Sequence, residues 1–422
     1  MRYLGGFICF FLTWAPFLHA QTAPQPDSRW VQESLDFSLS QALSLVQALG
    51  PTPAGIPRTA QEGKGILLDQ PVDAHGKLGW TTGFFPGTLW QLYGYAKSEQ
   101  KNLEAQKLFD AARLYTNKLA PAQYVTNDHD VGFVVFSSFG QAYRLTHDLE
   151  AKAVLRTAAH SLATRFSPIV GCVRSWDWWG YSDRDFVVII DNMMNLELLF
   201  WSGREEGENS LTQIANSHAQ TTLQHHFRPD QSAYHVVNYN KLTGSVQKAE
   251  NYQGYNDESI WSRGQAWAVY GYTMAYRMTL NPQYRDKALA LAQFLYRHPA
   301  MPEDKVPYWD FLDPRIPSIQ RDASSAAILA SALYELSIYT DADTAKELRT
   351  WADTSLHTLS SPAFRAQSVG ANAGFLLLHS VGSLNPKLMV DIDQPLSYAD
   401  YYYVEALLRK RALDLGRSPI GE

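Results

Sequence analysis

Cysteine is almost absent from this chain of 422 residues, which contains only Cys9 and Cys172. Cys9 lies in an N-terminal segment that we expect to be removed, so Cys172 remains alone and no intramolecular disulfide is possible in the mature protein. No nucleophile signature surrounds Cys172, and a buried, inert thiol is expected there. The stability of the fold must therefore come from packing.

Long apolar runs and an excess of positive charge are also missing. Beyond the N-terminus no stretch reaches about 18 uninterrupted apolar residues, so we expect no membrane-spanning helix. Lys and Arg number 36 against 42 Asp and Glu, a net charge of −6 that becomes −7 once Arg2 leaves with the N-terminal segment. An acidic balance argues against a nucleic-acid partner.

The first residues have the pattern of an export signal. Arg2 is followed by an apolar run from Tyr3 to Leu18, which ends at Leu18-His19-Ala20, and we expect cleavage after Ala20. We expect a signal peptide over residues 1–20, a flexible tail over 21–28, and a single domain over 29–422. An exported protein, periplasmic or extracellular, follows from this prediction.

Aromatic residues are abundant, at 13% of the chain with 12 Trp and 23 Tyr. They occur mainly in a repeating pattern in which an apolar helical stretch alternates with an amphipathic one, which is typical of stacked helical hairpins. The six apolar stretches are Phe84–Ala96, Val131–Leu145, Val187–Trp201, Ile260–Met278, Ser324–Leu336 and Tyr398–Leu408. Strand signals are few, and the plausible β-hairpin joins Ala233–Asn238 to Ser245–Glu250.

Six hairpins can close into a ring, although periodicity alone does not separate a closed ring from an open solenoid. Polar residues recur where the apolar helices begin, which favours a common mouth. Helix N-termini carry partial positive charge and free N–H donors, so an acid-bearing ligand suits this mouth. Asp191, in the apolar stretch Val187–Ser202, is the central candidate, and a helix cap and a catalytic carboxylate are equally compatible with its position.

Eight ordered segments resemble the unsaturated glucuronyl hydrolases of glycoside hydrolase family 88, over most of the chain from Trp80 to Arg409. They are WTTGFFPGTLWQLY (from Trp80), NDHDVGF (Asn127), RSWD (Arg174), VIIDNMMNLELLFW (Val188), NDESIWSRGQAWAVYG (Asn256), VPYWDF (Val306), RDASSAAILASALYEL (Arg321) and PLSYADYYYVEALLR (Pro395). The resemblance implies an all-α fold, an (α/α)6 barrel, with at most a small β-hairpin.

The resemblance also implies an activity. Such enzymes take oligosaccharides that end in a 4,5-unsaturated uronic acid and add water across the C4=C5 double bond, with no cofactor. An unsaturated rhamnogalacturonyl hydrolase acting on pectin fragments is the nearest alternative, although Gln265-Ala266 favours the glucuronyl family. An inverting glycosidase, a sugar epimerase and a non-catalytic sugar-binding barrel are more distant alternatives.

Matched residue by residue, the resemblance assigns Asp191 as the general acid/base and Asp130 as a second essential carboxylate. We expect Asp191 to be the carboxylate whose pKa is raised, because two nearby carboxylates cannot both ionise easily. The resemblance further suggests substrate-binding roles for His129, Trp176, His235, Gln253, Arg263, Trp261, Trp267 and Trp80.

Several of these residues have structural explanations too. Both histidines can be ordinary buried histidines, and Trp267 occupies a core position of its helix. Arg263 needs an anionic partner, which is either the substrate or an internal carboxylate such as Asp257 or Glu258. Arg321-Asp322 is expected to be a cap and ion pair. Asp128-His129-Asp130 does not fit a calcium loop or a zinc motif, so no metal is expected.

Overall fold

The computed structural model describes residues 29–177 and 185–421. The predicted signal peptide and the tail over 21–28 lie outside the described residues, and so does the predicted loss of Cys9. These assignments stay predictions.

Six inner helical segments follow one another around a central axis. They are α2 (Phe84–Ser98), α4 (Val131–Val135) continued through a π-helical turn (Phe136–Gly140) into α5 (Gln141–Thr146), α7 (Asn192–Glu205), α9 (Ser262–Thr279), α11 (Ala323–Leu336) and α13 (Ser397–Asp414). Their small and aromatic residues are buried nearly all round, and in α11 every residue is buried. Helices of that composition are stable only inside a protein.

Six outer helices alternate with the inner ones. They are α1 (Arg29–Leu49), α3 (Asn102–Lys118), α6 (Leu149–Ala163), α8 (Asn209–His225), α10 (Pro282–Arg297) and α12 (Ala342–Leu359). Each buries one face only, as α3 does with Leu108, Ala112 and Tyr115. The ring is closed, because α13 packs against both α11 and α2, while α1 packs on the outside of α13 and α2. The predicted (α/α)6 barrel is confirmed.

The prediction of at most one small β-hairpin was wrong. The described residues form four small antiparallel sheets: β1 (Ile56–Gln61) with β2 (Gly65–Asp69), β3 (Phe166–Ser167) with β4 (Cys172–Val173), a sheet of β5 (Phe186–Ile189), β6 (Val236–Tyr239) and β7 (Val246–Glu250), and β8 (Ser380–Asn385) with β9 (Leu388–Gln394). The predicted hairpin corresponds to β6 and β7. The others lie in connections that the helical periodicity does not describe.

The stretch beginning at Val187 is not one helix. Phe186–Ile189 is strand β5, and α7 begins only at Asn192, with Asp191 as the preceding residue. A run of β-branched residues favours a strand, and here it pairs with β6 from the predicted hairpin. Asp191 therefore sits in the turn between a strand and a buried helix.

Cys172 is fully buried, and burial raises the pKa of its thiol, as expected for an inert cysteine. Among the helices of the described residues, none combines the length and the apolar character that crossing a bilayer requires.

Helices α4 and α7 touch backbone to backbone at Gly132. A Cβ at this position would lie 2.6 Å from the Asn195 Cα, whereas a Cβ at Gly94 of α2 would meet only the Leu145 side chain, at 3.2 Å. We predict that Gly132→Ala lowers the free energy of unfolding by about 1–3 kcal/mol. Gly94→Ala should stay within about 1 kcal/mol of the parent. Denaturant titration compares the two, and equal small effects would contradict the close approach of α4 and α7.

Candidate active site

Two carboxylates occupy the ends of neighbouring inner helices. Asp130 precedes α4 and Asp191 precedes α7. Neither side chain caps its helix by a hydrogen bond, so both remain directed to other partners. Each is buried, yet 12% of each side chain is exposed. The helix-cap interpretation of Asp191 therefore fails, and both carboxylates retain access to solvent.

Asn195 joins the two helices. Asn195 lies in the first turn of α7, four residues after Asp191, and so on the same side of the helix as Asp191. Its side-chain amide N–H donates to Asp130 Oδ1 at 3.3 Å, and its Oδ1 accepts from the Phe133 N–H at 2.7 Å. Asn195 is fully buried. The amide thus fixes Asp130 relative to the helix that carries Asp191.

His235 directly precedes strand β6 and lies beside Asp191. Its Nδ1 accepts the backbone N–H of Gln253 at 3.2 Å, and its Nε2 lies 3.6 Å from Asp191 Oδ2. Burial lowers the pKa of His235 well below its ordinary value, so the ring is neutral. A neutral ring that accepts at Nδ1 carries its proton on Nε2. That N–H therefore faces the Asp191 carboxylate.

His129 stands beside Asp130 in the same way, with its Nε2 3.4 Å from Asp130 Oδ1. Burial lowers its pKa to about 3, so this imidazole is also neutral. Trp176 lies between the two histidines, with ring centroids 6.3 Å from His129 and 6.1 Å from His235 and near-perpendicular planes. The half-buried indole forms one wall of the site.

Burial is the main cause of the unusual acidity of both carboxylates. It raises the pKa of Asp191 from 3.8 to about 7, although the charge of Arg263 and the Trp267 indole N–H oppose the rise. It raises the pKa of Asp130 well above 3.8, and the negative charges of Asp128 and Asp191 raise it further. At neutral pH the pair therefore holds a proton.

The expectation that only Asp191 has a raised pKa was incomplete. The negative charges of Asp128 and Asp191 also act on Asp130, whereas the positive charge of Arg263 and the Trp267 N–H act on Asp191. Asp128 accepts the Asp130 backbone N–H at 3.0 Å and is 2% exposed. Both carboxyl groups are therefore harder to ionise than an ordinary aspartate.

Arg263 lies below the mouth rather than in it. Its side chain is 1% exposed, and its guanidinium donates to Asp322, to the Val381 carbonyl and to the Gly382 carbonyl. The internal partner is Asp322, so the suggested Asp257 or Glu258 was wrong. Asp322 also caps α11 through the Ser324 N–H. The predicted Arg321-Asp322 pair is likewise absent from the described residues, since Arg321 pairs with Asp304.

The tryptophans divide into two groups. Trp261 and Trp267 are buried beneath the site: Trp261 packs against His235 with a centroid distance of 4.7 Å, and Trp267 packs against Phe133 at 5.2 Å. They support the site without presenting a ring face to a sugar. Trp80 is half-buried, and its ring centroid lies 5.8 Å from that of Phe133 and 5.1 Å from that of Tyr398. Together with Trp176 it leaves an aromatic surface at the mouth.

Residues 60–298 of this chain match the family model described as Glycosyl Hydrolase Family 88. The chain belongs to glycoside hydrolase family 88. It is therefore a glycosidase.

Relatives within family 88 cover most of the chain. It is 44% identical over 341 residues to an unsaturated glucuronyl hydrolase of Formosa agariphila, covering 80% of this chain and 81% of the relative. It is 31% identical to an unsaturated chondroitin disaccharide hydrolase of Streptococcus agalactiae, covering 78% and 81%. The crystal structure of an unsaturated glucuronyl hydrolase specific for heparin superposes with a TM-score of 0.82 at 42% identity, covering 90% and 96%.

Some residues of the family 88 site were not among the sequence candidates. Asn195 was not a candidate, and its spacing of four from Asp191 within the same apolar stretch was the available signal. The hairpin of β8 and β9 was missed. It reaches the Gln253 loop, where Ser383 Oγ donates to the Gln253 carbonyl at 3.1 Å and Asn385 donates to the Gly254 carbonyl at 2.6 Å. The half-buried Gln253 is thus held between this hairpin and His235.

Asp128, His129 and Asp130 place their ligand atoms within 4.8 Å of one another. Two carboxylates and a neutral imidazole are donors that divalent cations accept. The hydrogen bond from the Asp130 N–H already uses one Asp128 oxygen, and Asn195 uses Asp130 Oδ1. The metal-free site inferred from the sequence stays a prediction.

A chelator tests that prediction. We expect the glycosidase activity of this chain to be unchanged after dialysis against EDTA and into metal-free buffer, because the sequence assigns the acid-base chemistry to two carboxylates and predicts no metal. Added Mg²⁺, Ca²⁺ or Zn²⁺ should not raise the rate. A loss of activity that a divalent cation restores would place a metal at Asp128, His129 and Asp130.

Proposed function

We propose that this family 88 glycosidase releases a 4,5-unsaturated uronic acid from the non-reducing end of oligosaccharides that polysaccharide lyases produce. The reaction is hydration: a proton adds to C4, and water adds to C5 as its own proton leaves. The resulting hemiketal opens and expels the remaining sugar. The pair of buried carboxyl groups, whose raised pKa values favour protonation near neutral pH, carries the proposal.

Asp191 is the general acid/base of this proposal. Its pKa of about 7 lets it give a proton to carbon and recover one from water near neutral pH. The His235 Nε2–H, 3.6 Å from Asp191 Oδ2, faces the carboxylate and favours its ionised form electrostatically between these two events. Burial excludes bulk water around the carboxyl group, which strengthens both effects.

Asp130 has a different role. Burial and the negative charges of Asp128 and Asp191 raise its pKa well above the ordinary value, which favours its protonated form. A neutral carboxylic acid in a buried site donates a hydrogen bond, here to a sugar hydroxyl. Asn195 and His129 keep the Asp130 side chain in position for that contact.

The acid group of the substrate is accommodated mainly by the helix ends. Arg263 in the first turn of α9 contacts Asp322 before α11 and Tyr398 in the first turn of α13, and its charge acts on Asp191 before α7. The N-termini of these helices therefore lie near one another, and their partial positive charges favour a carboxylate. Arg263 lies beneath the mouth, and its positive charge lowers the pKa of Asp191. The aromatic surfaces of Trp80 and Trp176 suit the flat unsaturated ring.

The names of the relatives support glycosaminoglycan fragments as the substrate class, since one acts on chondroitin disaccharides and one is specific for heparin. Other polyuronate fragments share the same unsaturated end. A panel of unsaturated disaccharides from chondroitin, hyaluronan, heparin, ulvan and gellan ranks them by kcat/KM.

Substitution of Asp191 tests the function directly. Wild-type protein should remove the ultraviolet absorbance of an unsaturated disaccharide, and Asp191→Asn should reduce kcat by at least about a hundredfold, because no proton can be delivered to C4. The matched control is Asp110→Asn, at an exposed position of α3, which should behave as wild type. Circular dichroism verifies folding of both variants.

Two outcomes contradict the proposal. Retained turnover in a folded Asp191→Asn variant removes Asp191 from the mechanism. Tight binding of the disaccharide by wild type without loss of absorbance on any member of the panel indicates a sugar-binding barrel instead of an enzyme.

The pKa of Asp191 predicts the pH dependence. The general acid must be protonated in the free enzyme, so kcat/KM should fall as the pH rises through about 7. The buried histidines are neutral throughout this range and should not add a second pH-dependent change in kcat/KM. A pH–rate profile measures the fall of kcat/KM above about pH 7. A rate that stays constant up to about pH 9 would contradict a proton held on Asp191.

A further inference from the structure

A cavity lies on the side of the barrel axis away from Asp130 and Asp191. Its volume is about 810 Å³, and residues of α2, α4, α5, α7, α9 and α13 surround it, including Phe133 and Tyr402 on the side towards the catalytic mouth. Residues 417–421 pass along its edge. A volume of this size accommodates a mono- or disaccharide.

This cavity is separated from the catalytic mouth by a layer of aromatic side chains. Phe133 packs against Phe84 at 5.4 Å and against Trp267 at 5.2 Å, and Trp267 packs against Tyr402 at 5.4 Å. The carboxylates Asp130 and Asp191 precede the first turns of α4 and α7, on the other side of this layer. A ligand in the rear cavity therefore does not occupy the catalytic site.

Gln91 of α2 lines the rear cavity and is 2% exposed. Within the described ranges, neither its amide nitrogen nor its amide oxygen has a hydrogen-bond partner. An unsatisfied buried amide is costly, and native proteins rarely keep one without a reason. Its position gives the cavity one donor and one acceptor that the protein itself does not use.

The charges around the cavity are not balanced. Arg277, Arg409 and Arg411 are neutralised by ion pairs with Glu197, Glu335, Glu405 and Glu99. Arg144, Arg204 and Arg417 line the cavity with exposed side chains, and within the described residues none of them lies within 4.0 Å of a carboxylate, although the charge of Glu405 acts on Arg144. The lining thus has unpaired positive charge.

Arg144 is exposed at the edge of the cavity. Its Nε and Nη2 both donate to Gln141 Oε1, at 3.1 and 2.7 Å, which fixes the plane of the guanidinium, and its Nη1 lies beside Gly421. The adjacent wall is aromatic, with the Trp201 ring 5.5 Å from Tyr143 and 6.0 Å from Phe136. Guanidinium, amide and aromatic faces together match the chemistry of an acidic sugar.

We propose that the rear cavity is a second binding site, for a carboxylate-bearing mono- or disaccharide. Gln91 contacts the sugar hydroxyls, and Arg144 and Arg204 bind the acid group. The site is independent of catalysis at the mouth, so the proposal does not rest on the proposed function.

Calorimetric titration tests the site with three probes: D-glucuronate, inorganic sulfate and the neutral disaccharide cellobiose. Wild type should bind glucuronate at a site that the double variant Arg144→Gln/Arg204→Gln binds at least about tenfold more weakly. The control is Arg297→Gln, which removes an exposed arginine at the end of α10 and should bind as wild type. Both variants should keep the wild-type kcat/KM on an unsaturated disaccharide.

Gln91→Leu supplies a second, nearly isosteric test. It should weaken glucuronate binding by a similar factor without lowering the melting temperature of the free protein, because the lost amide has no partner. The proposal is overturned if the arginine double variant binds glucuronate as wild type does. It is also overturned if sulfate or cellobiose binds as tightly as glucuronate, or if Gln91→Leu lowers the melting temperature and leaves binding unchanged.

Discussion

The chemistry of this protein depends on the burial of two carboxyl groups at the ends of adjacent helices. Removing a carboxylate from water is expensive, and the protein compensates only partly for this cost at Asp191 and at Asp130. The proton that remains on the pair at neutral pH is a direct consequence of this cost. Asn195 makes the arrangement specific, because it fixes Asp130 from the helix that Asp191 precedes.

The barrel provides the rigidity that such a pair requires. Helices α4 and α7 approach closely enough at Gly132 to exclude a Cβ atom, and the aromatic layer of Phe84, Phe133 and Trp267 fills the axis directly behind the site. Arg263 and Asp322 form a buried ion pair that ties α9, α11 and the β8–β9 hairpin together. A charge that resembles a substrate ligand in the sequence thus serves to assemble the floor of the mouth.

The sequence predicted the helices well, because their apolar character and periodicity are local properties. It also placed Asp130 and Asp191 together, through the family resemblance. It could not predict that Val187 begins in a strand, since that strand depends on pairing with β6, some 50 residues away. Nor could it identify the partner of Arg263, because Asp322 is 59 residues distant and only the closed ring brings the two together. The unpaired Gln91 amide and the rear arginines became visible only with the coordinates.

The central claim is that the Asp130 and Asp191 pair keeps a proton at neutral pH. Infrared difference spectroscopy between wild type and the Asp130→Asn/Asp191→Asn variant measures this directly through the carbonyl stretch of a protonated carboxyl group. The account predicts a protonated-carboxyl band at about pH 6 that belongs to this pair and loses intensity as the pH rises through about 7. Two fully ionised carboxylates at about pH 6, with no such band in the difference spectrum, would contradict it.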